Sequence, residues 1–287
     1  LRLLGGRAPP ATAAVGRLYQ LCAAAGAAPE QRALPRALPP LGGWWASVEA
    51  ARYLVTSRLR SPVGGPAQTF EHLEKLLGEV AGAAAPASAA AGDADAAAAA
   101  DAAAAAAAGM LLQTVEQLER QIHSAAEGSL VLPPPPRAAR SFFVANRRVC
   151  ADWLGRIRGK LLRAALRARR PASVVRHGQI RLAELHARGA ALCTRGAGGR
   201  AEVGEAQLPA ALALLRDAEW VLMVVADALC TLGATHELGG LAIWSRRKLG
   251  PVSLAARRRP WARWIDGVRL QCAGRLEEAA SALRAFL

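Results

Sequence analysis

Aromatic residues make up only 5% of this 287-residue chain, although 53% of it is hydrophobic. The apolar content therefore comes from Ala, Leu and Val. Ala and Leu are the best apolar helix formers, and the scarcity of Tyr, Phe, Ile and Thr leaves little from which to build strands. An all-α protein is predicted. Cysteine is sparse too: Cys22, Cys150, Cys193, Cys230 and Cys272 are widely spaced, odd in number and contain no C-x-x-C. That excludes a zinc motif or a disulfide framework and predicts reduced, buried thiols in a cytoplasmic or nuclear protein. Long hydrophobic runs are also missing. The most apolar stretch, Trp220 to Leu232, is interrupted by Asp227 and is too short to span a bilayer, and no signal peptide precedes the first helix. No membrane partner is expected.

Catalytic motifs are missing as well. Gly64-Gly65-Pro66 is a turn whose proline removes a backbone donor that a phosphate cradle needs. Gly196-Ala197-Gly198-Gly199 has no strand before it. The five histidines (His72, His123, His177, His186, His236) stand apart from Cys, Asp and Glu at metal spacing. Adjacent carboxylates such as Glu277-Glu278 point away from each other on a helix. No catalytic, cofactor-binding or metal-binding residue is predicted in this segment.

What the chain does have is positive charge: a formal +15 and a pI near 11.2. Such a balance ordinarily points to nucleic acid or phosphate. Yet only Lys75, Lys160 and Lys248 among the 37 basic residues are lysine. Arg, Ala, Gly and Pro all have GC-rich codons, so compositional bias accounts for much of the arginine. Solvated arginine faces and an anionic ligand both remain open readings.

Along the chain, helical periodicity recurs between breakers. The sequence begins without Met and stops inside an apolar pattern at Phe286-Leu287, so both ends read as cuts through a longer protein. Residues 1–80 read as N-terminal helical repeats. Within them, Val48, Ala51, Val55 and Leu59 share one face, as do Phe70, Leu73, Leu76 and Leu77 behind a Thr69 cap. Residues 81–109, nearly all alanine, offer no large apolar face and read as a low-complexity insertion. Residues 110–287 resume the helical pattern with loops at 127–140 and 188–206. Leu111, Leu112, Val115, Leu118 and Ile122 line one helix. Val149, Trp153, Ile157 and Leu161 line a second, predicted as one helix over Ser141–Arg170, ended by Pro171 and packed on a helix capped by Ser173. Val175-Arg176-His177-Gly178 reads as a close helix crossing. Further helices are predicted at about 207–232, 235–249, 261–273 and 275–287. The architecture predicted is an α-solenoid of stacked antiparallel pairs, degenerate tetratricopeptide- or HEAT-like, interrupted by insertions.

One feature has the layout of a ligand surface. Arg156, Lys160, Arg163, Arg167 and Arg170, spaced four, three, four and three, form a row about 21 Å long on one helix flank. Such a row suits phosphates of RNA or of a polyphosphorylated inositol. Arg246-Arg247-Lys248 is a second cluster, at a helix C-terminus where cations meet the dipole favourably. Solvated helix faces are the alternative for both.

Phe142-Phe143-Val144-Ala145-Asn146-Arg147-Arg148-Val149-Cys150-Ala151-Asp152-Trp153-Leu154-Gly155-Arg156-Ile157-Arg158 resembles a stretch of the phosphatidylinositol-3-kinase-related kinases of nonsense-mediated mRNA decay. Pro171-Ala172 and Val175-Arg176-His177-Gly178 are similar to the next helix of that family. Met223 to Cys230, Gly240 to Ser245, and Gly274-Arg275 with Glu278-Ala279 continue it in order. Trp44-Trp45 and Gly64 to Phe70 fit an upstream portion. The resemblance implies a segment of the helical FAT domain that wraps the kinase domain, the kinase domain itself lying beyond Leu287. It implies that the intact protein is a serine/threonine kinase, using ATP and a divalent metal, that phosphorylates an RNA helicase. The implied partners are its own kinase domain and helical repeats, the helicase, and regulatory subunits of the decay complex. Related domains hold inositol hexakisphosphate in a basic pocket. The competing reading is a free-standing basic α-solenoid that binds nucleic acid or inositol phosphate.

Overall fold

The computed structural model describes residues 47, 51, 54, 55 and 59, and then 66–82, 94–128, 137–195, 201–256 and 262–285. The predictions for Trp44-Trp45, Val48 and Pro133–Pro136 lie outside the described residues. The chain divides into two compact units, Leu1–Arg170 and Pro171–Leu287. Both are helical, as the composition requires.

In the first unit, α1 (Pro66–Gly82) and α2 (Ala94–Glu127) both pack on α4 (Arg147–Arg167), while α3 (Arg137–Ala145) lies on α2. Proline suits the first turn of α1, where its missing N–H is not needed. The helix therefore starts ahead of Thr69, which is buried inside the first turn rather than capping it. Phe70, Leu73, Leu76 and Leu77 all point inward as predicted, and so do Ala51, Val55 and Leu59. Leu111, Leu112, Val115, Leu118 and Ile122 form the buried face of α2.

Three further expectations for this unit are corrected. Residues 94–109 are not an inserted loop. They are the first half of α2, which continues into the 110–126 helix without a break. Alanine has the highest helix propensity, and methyl groups suffice for close helix contact: Ala107 and Ala108 are buried. The helix predicted over Ser141–Arg170 is two helices. α3 starts inside the expected 127–140 loop, and the chain breaks at Asn146 (φ −103°, ψ 18°), whose side-chain amide donates back to the Phe142 carbonyl at 2.8 Å. Finally, Val149 is 51% exposed, whereas Trp153, Ile157 and Leu161 are buried, and the helices that cover them in this unit are α1 and α2. An every-fourth repeat drifts by about 40° per step on a helix of 3.6 residues per turn. Cys150, Trp153, Leu154, Ile157 and Leu161 define the buried face, and Val149 has drifted off its edge.

By length and composition, Ala97–Glu127 is apolar enough to cross a membrane. Here α1, α3 and α4 cover its apolar side, and it carries ion-paired carboxylates. Its second half, from Ala107 to Ala125, contributes to the core of its unit.

In the second unit, α5 (Pro171–Leu192) and α6 (Leu208–Thr231) form the most extensive helix pair, followed by α7 (Thr235–Lys248), α8 (Gly250–Ala255), α9 (Trp264–Cys272) and α10 (Leu276–Arg284). The helix predicted to begin at Ser173 begins two residues earlier, with Pro171 at its first position. The 188–206 loop is shorter than expected. α5 runs on to Leu192, Thr194–Arg195 (β1) pairs antiparallel with Ala201–Glu202 (β2), and a 3₁₀ turn spans Glu205–Gln207. Leu192, Cys193 and Val203 pack on a small core of Ala211, Leu215, Val252 and Ala256, so this stretch contributes apolar contacts after all.

The α5–α6 crossing depends on one missing side chain. A Cβ placed at Gly178 falls 2.2 Å from Val225 Cγ2, and neighbouring His177 is fully buried. The close crossing predicted at Val175–Gly178 is present.

Two helix junctions share one geometry. After α6, Gly233 (φ +67°) and Ala234 donate to the carbonyls of Cys230 and Leu229, both at 2.9 Å. After α9, Gly274 (φ +76°) and Arg275 donate to Gln271 at 3.0 Å and Leu270 at 2.9 Å. The next helices then start from nearly identical residues in dihedral terms, Ala234 (φ −86°, ψ 67°) and Arg275 (φ −88°, ψ 65°). This is a Schellman stop, which needs a left-handed residue that glycine supplies without strain. α6–α7 and α9–α10 are thus two copies of one helical hairpin, which the sequence hints at only in its two glycines. α4 ends in the same bond pattern with Arg169 (φ +52°) in the left-handed place.

Gly178→Ala should destabilise the chain by about 1–3 kcal/mol, the usual cost of overpacking. Urea unfolding monitored by circular dichroism checks this. An unchanged midpoint would show that the crossing is loose.

Candidate ligand-binding surface

α4 presents its predicted basic row towards α1 and α2. Arg156 Nε lies 3.0 Å from Glu74 Oε2, and Lys160 Nζ lies 2.9 Å from Glu74 Oε1. Further along, Arg167 and Arg169 meet the two oxygens of Asp101 at 3.2 and 2.9 Å. Arg163 is exposed. Arg170 lies over Gly109, and with the Gln113 amide oxygen turned towards it the guanidinium donates at 2.9 and 3.3 Å. The row is therefore neither a bare cationic strip nor a freely solvated face. It joins three helices. Acidic residues number 22 against 37 basic ones, and both Glu74 and Asp101 serve two cations.

The Lys160 hydrogen bond holds the Glu74 carboxyl below its ordinary range. Partial burial opposes this, and Arg156 adds to the lowering. A carboxyl whose pKa is depressed on folding contributes stability above its unfolded pKa, and that contribution is lost as pH falls through the folded value.

Sequence reasoning missed a second pair. Arg158 NH2 lies 3.0 Å from Glu119 Oε1, and both side chains are almost wholly buried between α4 and α2. A signal was present: Arg158 sits four residues after Leu154 and four before Leu162, inside the apolar stripe, and so it cannot reach solvent without leaving the helix face. Beside it, the Trp153 indole stacks on Phe70 with ring centroids 4.1 Å apart and an interplanar angle of 10°. Its Nε1 has no acceptor among the described residues.

The second cluster lies as predicted in the last turn of α7, with Arg247 and Lys248 exposed and Arg246 paired to Asp266 at 3.0 Å. Arg246 and Asp266 also line an open cleft of about 290 Å³ between α7 and α9, with Thr235, His236, Ile243 and Arg269. Among the described residues, no group of three or more His, Cys, Asp or Glu side chains converges on a metal-sized site.

Helices joined by shared carboxylates, a glycine-gated crossing and a repeated hairpin turn define a helical-repeat protein. The family model described as serine/threonine-protein kinase smg-1 matches residues 11–194. A zebrafish (Danio rerio) relative, serine/threonine-protein kinase SMG1, is 31% identical over 239 residues, covering 82% of this chain and 6% of that protein. The probable serine/threonine-protein kinase smg1 of Dictyostelium discoideum is 27% identical over 202 residues, covering 70% and 7%. Smg1 of Drosophila melanogaster is 31% identical over 139 residues, covering 47% and 4%. The chain belongs to the SMG1 serine/threonine-protein kinase family. It spans only a small fraction of the length of these relatives.

Two outcomes test this reading of the charges. Arg158→Met should cost about 3–5 kcal/mol, because it strands a buried carboxylate. Combining it with Glu119→Leu should recover much of that loss in a double-mutant cycle, and strict additivity would contradict the pairing. Glu74→Gln should cost up to about 1 kcal/mol at neutral pH, since its partners are partly exposed. The gap from wild type should close on acidification from about pH 5 downward. A gap independent of pH would show that the Glu74 charge is not what matters.

Proposed function

We propose that this chain is a helical scaffold and regulatory segment of an SMG1-type serine/threonine protein kinase, and that it performs no chemistry itself. The alignment with SMG1 over four-fifths of the chain carries this reading. The charge clamps support it, because residues that looked available for a ligand instead hold helix to helix. In this proposal the helices belong to a FAT-type, tetratricopeptide-like α-solenoid that packs against the kinase domain of the intact protein. That domain binds ATP and a divalent metal and phosphorylates an RNA helicase in nonsense-mediated mRNA decay. The remaining partners are regulatory subunits of the decay complex, with inositol hexakisphosphate as a stabilising ligand of the helical domain. The protein acts in the cytoplasm or nucleus, away from membranes.

A free-standing basic solenoid for RNA or inositol phosphate is the weaker reading. The row from Arg156 to Arg170 is already engaged by Glu74, Asp101 and the Gln113 region.

The test has two arms. The isolated chain, given ATP, magnesium and a helicase peptide, should show no turnover above buffer. In the intact kinase, Gly178→Leu should lower helicase phosphorylation and slow decay of a reporter mRNA with a premature stop codon. Turnover by the isolated chain, or normal decay with a disrupted α5–α6 crossing, would refute the proposal.

A further inference from the structure

The repeated hairpin has a chemical consequence. α6 and α9 are in contact, and both stop in the same turn. Their last turns are neighbours, which brings together two cysteines 42 residues apart in sequence. Cys230 lies in the last turn of α6 and Cys272 is the last residue of α9. The Cys272 thiol approaches the Cys230 carbonyl at 3.8 Å, which places the two thiols side by side at the ends of their helices. Both side chains are half-exposed, so a small reagent can reach them. The other described cysteines differ: Cys150 is buried in the first unit, and Cys193 packs beside the Ala211–Val252 core.

We propose that Cys230 and Cys272 form a reversible dithiol–disulfide switch that joins the ends of α6 and α9, with a small-molecule disulfide such as oxidised glutathione as the oxidant. The chemistry proceeds in two exchanges. The Cys272 thiolate attacks one sulfur of the reagent, whose S–S bond breaks and releases one thiolate. Cys230 then loses its proton to solvent, and its thiolate attacks the Cys272 sulfur, displacing the second reagent thiolate. Two protein thiols are oxidised by two electrons, and one disulfide is reduced to two thiols.

The order of attack follows from the surroundings. Burial, the Cys272 hydrogen bond and the nearby Cys272 and Asp227 charges push the Cys230 thiol up to about 11, so it is a poor first nucleophile. Cys230 instead resolves the mixed disulfide, since the Cys272 sulfur already lies against its backbone carbonyl. In a reducing compartment such a bond is transient, which makes it a switch rather than a staple. Thr235 and His236 open α7 just after Cys230, and Arg269 lies one turn before Cys272. The bond would therefore fix the mouth of the cleft that these residues line.

The whole chain should be equilibrated in glutathione buffers of increasing oxidised fraction, quenched with maleimide and mapped by tryptic mass spectrometry. A peptide pair linking Cys230 to Cys272 should accumulate as the dominant intramolecular disulfide and vanish on adding reductant. The oxidised chain should unfold at a higher urea concentration than the reduced one, and Cys272→Ser should abolish both the link and the increase. If Cys230→Ser misfolds, Cys272→Ala and alkylated wild type serve as non-bonding controls. The proposal is overturned if stable glutathione adducts remain at both positions, if Cys150 or Cys193 links equally well, or if Cys272→Ser shows the same increase.

Discussion

The first unit depends on the burial of one face of α4 between α1 and α2. Trp153, Ile157 and Leu161 supply the apolar area, with the Trp153–Phe70 stack at its centre. An alanine-rich partner such as α2 is nearly smooth, and methyl contacts alone leave it free to slide or rotate. Directional contacts remove that freedom. The buried Arg158–Glu119 pair fixes α4 against α2 at one level, and Asp101, about five turns earlier on α2, fixes it again by way of Arg167 and Arg169. Glu74 does the same for α1.

These clamps also explain what becomes of an excess of positive charge inside a folded chain. With carboxylates outnumbered, Glu74 and Asp101 are each placed between two cations. Arginine suits this role because its planar fork can meet a carboxylate while its aliphatic stem covers apolar surface. The energetic weight of the pairs is uneven. The half-exposed ones contribute modestly, whereas the buried one is costly to break from either side, since a lone charge would remain in a low-dielectric interior.

The second unit is organised by backbone geometry more than by charge. Gly178 sets how closely α5 and α6 approach, and the left-handed glycines at 233 and 274 stop two helices in the same way. Because α6 packs on α9, the two helices end side by side, and residues without any sequence relation become neighbours. The Cys230–Cys272 contact and the cleft between α7 and α9 both follow from that packing.

The sequence by itself determined the helical class, most helix positions and most of the core. Phe70, Leu73, Leu76 and Leu77, Leu111 to Ile122, and Trp153, Ile157 and Leu161 were readable because helical periodicity is a local property of the chain. The stretch around Val175–Gly178 was legible for a similar reason, since a glycine beside a buried-type residue signals a close approach. Tertiary structure alone decided the rest. The alanine tract looked structureless because no single residue in it has a large apolar side chain, yet packing against α4 makes methyl groups sufficient. The basic row looked like a ligand surface because Glu74 and Asp101, its partners, lie far away in sequence. The break at Asn146 and the exposure of Val149 arise from helix phase, which a four-residue count does not track. Which cation meets which carboxylate, and which cysteine meets which, depends on contacts between distant segments, and those are settled only when the helices pack.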